Sequence, residues 1–165
     1  MTDVFVTADR HLGVVLTHET RRRLIAHCIR AGRRETGGIL IGRYSDHRDQ
    51  AVITEVTGPP IDSVHRRWFF VRGLAGMQRR IDRAWRRHDY YLGEWHFHSF
   101  ASPEPSDRDR DQARDFSVDP VYSCPEPILL VVGDDPRRSP QITVGVMVAG
   151  SLIPLLPRDL VDPLA

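Results

Sequence analysis

The stretch YYLGEWHFH at residues 90–98 constrains the fold most, because it has the pattern of one strand that ends in two histidines. Side chains alternate between the two faces of a strand. One face is expected to carry Tyr91, Trp95 and Phe97, and the other Leu92, Glu94, His96 and His98. Because His96 and His98 share a face, both imidazoles can reach one metal ion. The alternative is that they are polar residues on the outer face of an edge strand.

A second pair of polar residues, Ser106 and Asp109, follows a proline-rich loop and begins a polar helix. The spacing Ser-x-x-Asp is typical of a capping box, which stabilises the start of any helix. It also allows Asp109 to join the histidines once the loop folds back over the strand. Two imidazoles and one carboxylate suit catalytic zinc and leave a fourth position for water. Ser106 would then stand beside the metal, where its hydroxyl could donate to a developing oxyanion.

Hydrophobic periodicity predicts about three helices among clustered strands. Helices are expected from an N-cap at Thr17 to Gly32, near residues 73–88, and after Ser106. Strands are expected in the segments GVVL, GGILIGRY, QAVITEV, RRWFFVR, PILLVVGD, QITVGVMV and SLIPLLP. This order predicts an α+β fold with a central mixed β-sheet flanked by about three helices.

Length and composition narrow the class of protein. The chain of 165 residues is long enough for one domain with its own core. Its net charge of +1 argues against nucleic-acid binding, and no apolar run is long enough to span a bilayer. Cys28 and Cys124 are expected to be buried apolar residues rather than nucleophiles or a disulfide. We therefore predict a single cytoplasmic domain over residues 1–165, with no membrane or nucleic-acid partner.

All 23 basic residues are arginine, and the chain contains no lysine. A GC-rich genome would produce this bias. A second hypothesis is that an enzyme working beside a machinery that tags lysine amines gains by presenting none.

These motifs, together with a glutamate earlier in the chain, resemble those of the JAMM/MPN+ metalloprotease family, also called the JAB domain. In that family the glutamate precedes a glycine-rich strand, and RRETGGILIGR places Glu35 in that position. The resemblance covers a core of about residues 12–150, is strongest to the prokaryotic branch, and implies a JAB/MPN-like, cytidine-deaminase-like sandwich. The implied roles are zinc ligation by His96, His98 and Asp109, general acid/base catalysis by Glu35, and oxyanion stabilisation by Ser106.

By the same resemblance, the chain is expected to bind one Zn²⁺ with a catalytic water. It would cleave an isopeptide or peptide bond after the C-terminus of a ubiquitin-like or sulfur-carrier protein, in deconjugation or maturation. The expected partners include E1/E2-like conjugation proteins, as in anti-phage systems. The modifier's tail is expected along an edge strand near the site. Residues 58–90, with Trp68, Phe69, Phe70 and the arginine-rich helix, are the predicted modifier-facing surface.

Alternatives stay open beside this resemblance. The family usually has proline directly after the second histidine, where this chain has Ser99, and serine is expected to loosen the loop. A non-catalytic scaffold on the same fold, or a zinc amidohydrolase for small molecules, would use the same sheet. Glu94 and Glu104 are competing carboxylates near the histidines. A cupin site is disfavoured, because it needs a later histidine and none follows His98.

Overall fold

The computed structural model describes residues 2–66 and 70–161 of the chain. Its strands are β1 (Asp3–Val6), β2 (Gly13–Leu16), β3 (Thr36–Tyr44), β4 (Gln50–Val56), β5 (Val64–His65), β6 (Phe70–Val71), β7 (Tyr90–Phe97), β8 (Ile128–Gly133), β9 (Gln141–Val148) and β10 (Ser151–Pro157). Its helices are α1 (His18–Ala31), α2 (Met77–Trp85), α3 (Asp107–Val118) and the single-turn α4 (Arg158–Val161). Among these residues, no helix is both long and apolar enough to cross a membrane.

Eight of the strands form a closed barrel in the order β1–β10–β9–β8–β7–β3–β4–β2. Neighbouring strands are antiparallel except for β2 with β4 and β7 with β8. The prediction of an α+β fold with a large mixed sheet is confirmed, but the expected sandwich is wrong in one respect. The sequence did not predict β1, and this short strand pairs with β10 on one side and β2 on the other. The sheet therefore closes on itself instead of leaving two edges.

Strands β3, β7 and β8 bury both of their faces along nearly their whole length. The largest cluster of buried side chains includes Leu40, Trp95 and Leu130 from the strands, and α1 packs against it through Leu24 and Cys28. Smaller clusters on the opposite faces of the strands are covered by α2 and α3. Side chains that alternate between the two faces of these strands therefore pack into different clusters.

Helix α1 begins and ends as the sequence predicts. The Thr17 side chain accepts a hydrogen bond from the N–H of Thr20, and the helix ends at Gly32. Helix α2 is shorter than predicted, because its N-cap residue Gly76 has a left-handed φ of 76 and the helix begins at Met77. Leu74 therefore lies before the helix, where it is 66% exposed.

The connection between β7 and β8 positions the candidate site. These strands are parallel, so the chain must cross back between them, and α3 forms this crossover. The start of α3 follows the carboxyl end of β7 after a short loop. Because β3 runs antiparallel beside β7, β3 begins where β7 ends. The end of β7, the start of α3 and the start of β3 therefore lie close together.

A β-bulge in β7 changes which side chains share a face. Leu40 pairs with Gly93 but Ile41 pairs with Tyr91, so Leu92 is an extra residue in the ladder. Leu92 packs in the large cluster with Trp95, whereas Tyr91 packs on the opposite face. The predicted positions of Tyr91 and Leu92 were therefore wrong. The positions of the residues after the bulge follow the predicted alternation.

Strands β5 and β6 form a separate two-stranded hairpin, which we call the site hairpin. The predicted strand RRWFFVR is described only in part, because residues 67–69, including Trp68 and Phe69, lie outside the described residues. Closure of the barrel removes the edges of its eight strands. In the part of the chain that the structure describes, the remaining strand edges belong to this hairpin, so the edge expected for a modifier's tail is not in the large sheet.

The bulge generates a stability prediction. Gly93 has φ 142, and a Cβ added there would overlap the carbonyl oxygen of Ile128 in the neighbouring strand. We expect Gly93→Ala to lower the free energy of unfolding by more than about 3 kcal/mol, because backbone strain and steric overlap act together. Urea unfolding of the purified variant measures this change.

Gly150→Ala is the matched control for that substitution. Gly150 has φ 80, but a Cβ added there would meet nothing within 4 Å. Only the left-handed strain should remain, at about 1–2 kcal/mol. Equal losses in the two variants would contradict the close contact between Gly93 and β8.

Candidate metal centre

Three side chains converge at the carboxyl end of β7. Nδ1 of His96 lies 2.5 Å from Oδ1 of Asp109, and Nε2 of His98 lies 3.2 Å from Oδ2 of the same carboxylate. The potential ligand atoms of the three residues all lie within 4.8 Å of one another. His96 and Asp109 are buried and His98 is half-buried. The structure thus brings together the three residues predicted as metal ligands.

The chemistry of these donors fits a borderline-soft divalent cation. Zinc takes imidazole nitrogen and carboxylate oxygen at about 2.0–2.2 Å, so two of its tetrahedral ligands lie about 3.3 Å apart. The separation between His98 and Asp109 matches that spacing, whereas His96 and Asp109 are in direct hydrogen-bond contact. Such a cation would take the place of the protons that now hold these side chains together.

Asp109 is fixed by the start of α3. Its Oδ2 accepts hydrogen bonds from the N–H of Ser106 at 2.8 Å and from the Ser106 hydroxyl at 2.7 Å. In return, the N–H of Asp109 donates to Oγ of Ser106 at 3.2 Å. This arrangement is the capping box that the spacing allowed, and it coexists with the contact between Asp109 and both histidines. The Ser106 side chain remains exposed next to the cluster.

Glu35 lies across from His98. Thr36 pairs with Phe97 and Gly37 pairs with His96, so one step further along the two strands places Glu35 opposite His98. The site hairpin holds the backbone of Glu35 from the other side. The N–H of Glu35 donates to the carbonyl of Arg66 at 2.9 Å, and Nδ1 of His65 lies 3.0 Å from the carbonyl of Glu35.

The electrostatics of the site follow from burial and proximity. Burial opposes a charge on His96, but the hydrogen bond to Asp109 and the nearby carboxylate of Glu94 prevail and raise its pKa. The pKa of Asp109 is well below its usual range, because the two histidines and Ser106 outweigh the effect of burial. Burial raises the pKa of Glu35, and Asp109 adds to this while the histidines act against it. Glu35 is therefore a carboxyl group that holds a proton more tightly than a solvated glutamate.

Ser99, at the position where the family has proline, is tied to another element. Its hydroxyl donates to the carbonyl of Gly32, at the end of α1, over 2.9 Å. The N–H of His98 in turn donates to Val132 in β8 at 2.8 Å. The Ser99 side-chain hydrogen bond links the loop to the end of α1, and the expectation that serine loosens the loop relative to proline stays a prediction.

Other predicted residues lie elsewhere. Glu104 is exposed in the loop before α3 and is not part of the ligand cluster. Cys28 and Cys124 are buried and free, as expected. Burial raises the pKa of the Cys28 thiol to about 12, which makes it a poor nucleophile. Phe70 is buried against His96, with ring centroids 6.1 Å apart, so it forms a wall of the site instead of an exposed contact surface.

The sequence did not predict the surroundings of Glu94. This carboxylate is buried next to His96 and pairs with Arg72 at 2.7 Å, and both side chains are at most 5% exposed. The sequence places Glu94 two residues before His96 on the same strand face, and this spacing could have identified it as a neighbour of the predicted ligands. No such signal existed for Arg72, because an arginine after an apolar strand is ordinarily a surface residue.

Comparison with known families agrees with this site. A sequence model of the family described as prokaryotic homologs of the JAB domain matches residues 17–142. That range contains Glu35, both histidines, Ser106 and Asp109. The resemblance stated from the motifs is thereby confirmed.

Individual proteins extend this match. A protein of Enterobacter hormaechei subsp. hoffmannii named "CD-NTase/cGAS isopeptidase" is 38% identical over 137 residues, which are 83% of this chain and 76% of that protein. A protein of Sinorhizobium fredii named "Probable metalloprotease" is 32% identical over 124 residues, covering 72% of this chain and 75% of that protein.

A solved structure shows the same fold at low sequence identity. The solution structure of a Desulfitobacterium hafniense protein superposes with a TM-score of 0.61 at 17% identity, covering 84% of this chain and 86% of that chain. At this identity the likeness concerns the fold alone. Taken with the family match and the two relatives, it completes a consistent assignment: the chain belongs to the family of prokaryotic JAB-domain hydrolases.

Proposed function

We propose that the protein is a zinc-dependent isopeptidase that hydrolyses the bond after the C-terminus of a ubiquitin-like or sulfur-carrier protein. The observation that carries this proposal is the convergence of His96 and His98 on Asp109, with Glu35 directly before the neighbouring strand β3. His96, His98 and Asp109 would hold the ion. Zinc, when bound, supplies a Lewis acid that activates water near neutral pH.

Glu35 and Ser106 account for the remaining steps of amide hydrolysis. The Glu35 carboxylate can accept a proton as water adds to the carbonyl carbon, and can return it to the nitrogen as the C–N bond breaks. Its raised pKa favours this exchange, because the group then gives and takes a proton closer to neutral pH. The exposed Ser106 hydroxyl can turn from Asp109 to donate to the oxyanion.

The substrate class is inferred from a relative. The protein named "CD-NTase/cGAS isopeptidase" shares 38% identity with this chain. We infer that this chain also acts on an isopeptide bond that joins a modifier to a CD-NTase-type enzyme. E1/E2-like conjugation proteins would be its functional partners, since they would form the bond that this chain cleaves.

The modifier's tail is expected to bind at the site hairpin. Val64 and Val71 of this hairpin are each 40% exposed, and the hairpin is hydrogen-bonded to Glu35 through Arg66. An extended tail added to its edge would gain backbone hydrogen bonds and would point toward Glu35. This proposal keeps the expected edge strand near the site and assigns it to the hairpin, because the eight strands of the large sheet form a closed barrel.

Zinc content tests the metal centre. We expect about one zinc ion per chain in protein purified without added metal, and almost none in His98→Ala, because a site with two protein ligands binds zinc weakly. Elemental analysis measures both. His47→Ala is the control, since His47 is exposed in the turn between β3 and β4. Absence of zinc from the wild type would favour the scaffold alternative.

Glu35→Gln tests the acid/base role. The amide cannot take up the proton, so we expect kcat to fall by a factor of about 10²–10⁴ while zinc content stays unchanged. The assay follows release of the modifier from an isopeptide-linked CD-NTase conjugate by gel shift and intact mass. The control is Glu104→Gln, which should retain activity because Glu104 is exposed in the loop before α3. Cleavage of small amides but not of the conjugate would instead support the amidohydrolase alternative.

Ser106→Ala separates helix capping from catalysis. Loss of an N-cap costs about 0.5–2 kcal/mol of stability, and loss of an oxyanion donor costs about 10²–10³ in kcat. Thr17→Ala removes the equivalent cap from α1, away from the site, and should reduce stability but leave kcat unchanged. If Ser106→Ala lowers only the melting temperature, Ser106 is a capping residue and not an oxyanion donor.

A further inference from the structure

A buried charged network lies directly behind the metal centre. Nε of Arg72 donates to Oε1 of Glu94 at 2.7 Å, and its Nη2 donates to the Tyr122 hydroxyl at 2.8 Å. The guanidinium also lies over the rings of Phe116 and Tyr122, 5.3 and 5.9 Å from their centroids. Segments that are distant in sequence therefore meet at one glutamate, which nothing in the proposed chemistry uses.

The two carboxylate oxygens of Glu94 face different partners. Oε1 accepts from Arg72 and, at 3.4 Å, from the Tyr91 hydroxyl. Oε2 accepts from Nε2 of Gln112 in α3 at 3.4 Å and lies 3.8 Å from Nε2 of His96. Glu94 thus has one oxygen fixed by Arg72 and the other directed at a predicted metal ligand.

The two nitrogens of each site imidazole have separate partners. Nδ1 of His96 faces Asp109 and Nε2 faces Glu94. In His98 the roles of the nitrogens are reversed, because Nε2 faces Asp109 and Nδ1 lies 3.2 Å from the carbonyl of Ser102. A histidine that binds a metal ordinarily donates its other N–H to a carboxylate or a carbonyl, which orients the ring. Each imidazole here has such an acceptor on the side away from Asp109.

Arg72 explains why Glu94 stays behind His96 instead of joining the ligands. A second buried negative charge beside Asp109 would compete for a cation and reduce its net positive charge. The guanidinium neutralises Glu94 and binds Oε1, and its own position is fixed by Tyr122. The geometry of both the glutamate and the arginine is therefore set before any ion binds.

We propose that Glu94 and Arg72 are positioning residues for the metal centre. Glu94 orients the His96 ring, and Arg72 restrains Glu94 from binding the ion. This inference rests on the proposed zinc-dependent function, but it concerns metal affinity and geometry rather than peptide cleavage.

The experimental test removes the charges of Arg72 and Glu94 together in double variants. A single substitution would leave the other charge buried and unpaired, which destabilises a protein for reasons unrelated to the metal. Arg72→Met/Glu94→Leu removes the pair and the acceptor. Arg72→Gln/Glu94→Gln removes the charges but keeps a carbonyl oxygen near His96. The control is Arg43→Met/Asp89→Leu, which removes an ion pair with a buried aspartate at the opposite end of β3.

Zinc affinity is measured by competition with a chromophoric chelator, and the visible spectrum is recorded with cobalt in place of zinc. We expect the apolar pair to bind zinc about 10–100-fold more weakly than the wild type. The diamide variant should be intermediate, and both should show a shifted cobalt spectrum at saturation. The control should match the wild type in affinity and spectrum, whatever its melting temperature.

Each outcome decides the inference. Wild-type affinity and an unchanged cobalt spectrum in a folded apolar variant would overturn it. If that variant does not fold, the diamide variant decides alone, because unchanged affinity there would also overturn the proposal. If the wild type binds no zinc, the proposed function is refuted. If the wild type and the variants bind zinc equally well, only this inference is overturned.

Discussion

The buried carboxylate of Asp109 is the interaction on which the site depends. It receives hydrogen bonds from the backbone and hydroxyl of Ser106 and lies against both His96 and His98. A buried charge is costly unless it is paired and hydrogen-bonded, and here all of its partners come from two element ends. The start of α3 is therefore fixed to the end of β7 by the same group that would bind the metal. Helix capping and the proposed metal ligation would therefore use one and the same carboxylate.

The sequence predicted this part of the structure because the necessary spacings are local. The shared face of His96 and His98 depends only on strand alternation after the bulge at Leu92. Before the bulge the same alternation failed, and Tyr91 and Leu92 were assigned to the wrong faces. The spacing of Ser106 and Asp109 allowed both a capping box and a contact with the histidines. The structure contains both, because a carboxylate has two oxygens and can accept several hydrogen bonds.

What the sequence could not predict involves contacts between distant segments. Barrel closure depends on β1, a strand of four residues whose partners β10 and β2 lie at different places in the chain. Arg72 pairs with Glu94 across 22 residues and reaches Tyr122 across 50. Periodicity and motif spacing contain no information about such pairs. An arginine is ordinarily expected at the protein surface. Burial of the Arg72 side chain is favourable here only because it pairs with the buried carboxylate of Glu94.

The site hairpin connects these observations. On one side of the hairpin, the Arg66 carbonyl accepts the N–H of Glu35, beside the proposed acid/base. Directly after its second strand, Arg72 binds the glutamate that faces His96. Phe70, between those two points, packs against His96 itself. The hairpin and the residue after it therefore contact the backbone of the proposed acid/base, a predicted metal ligand and the glutamate behind that ligand. These contacts join segments that are far apart in sequence, which is why motif spacing alone predicts the ligands but not the wall of the site that surrounds them.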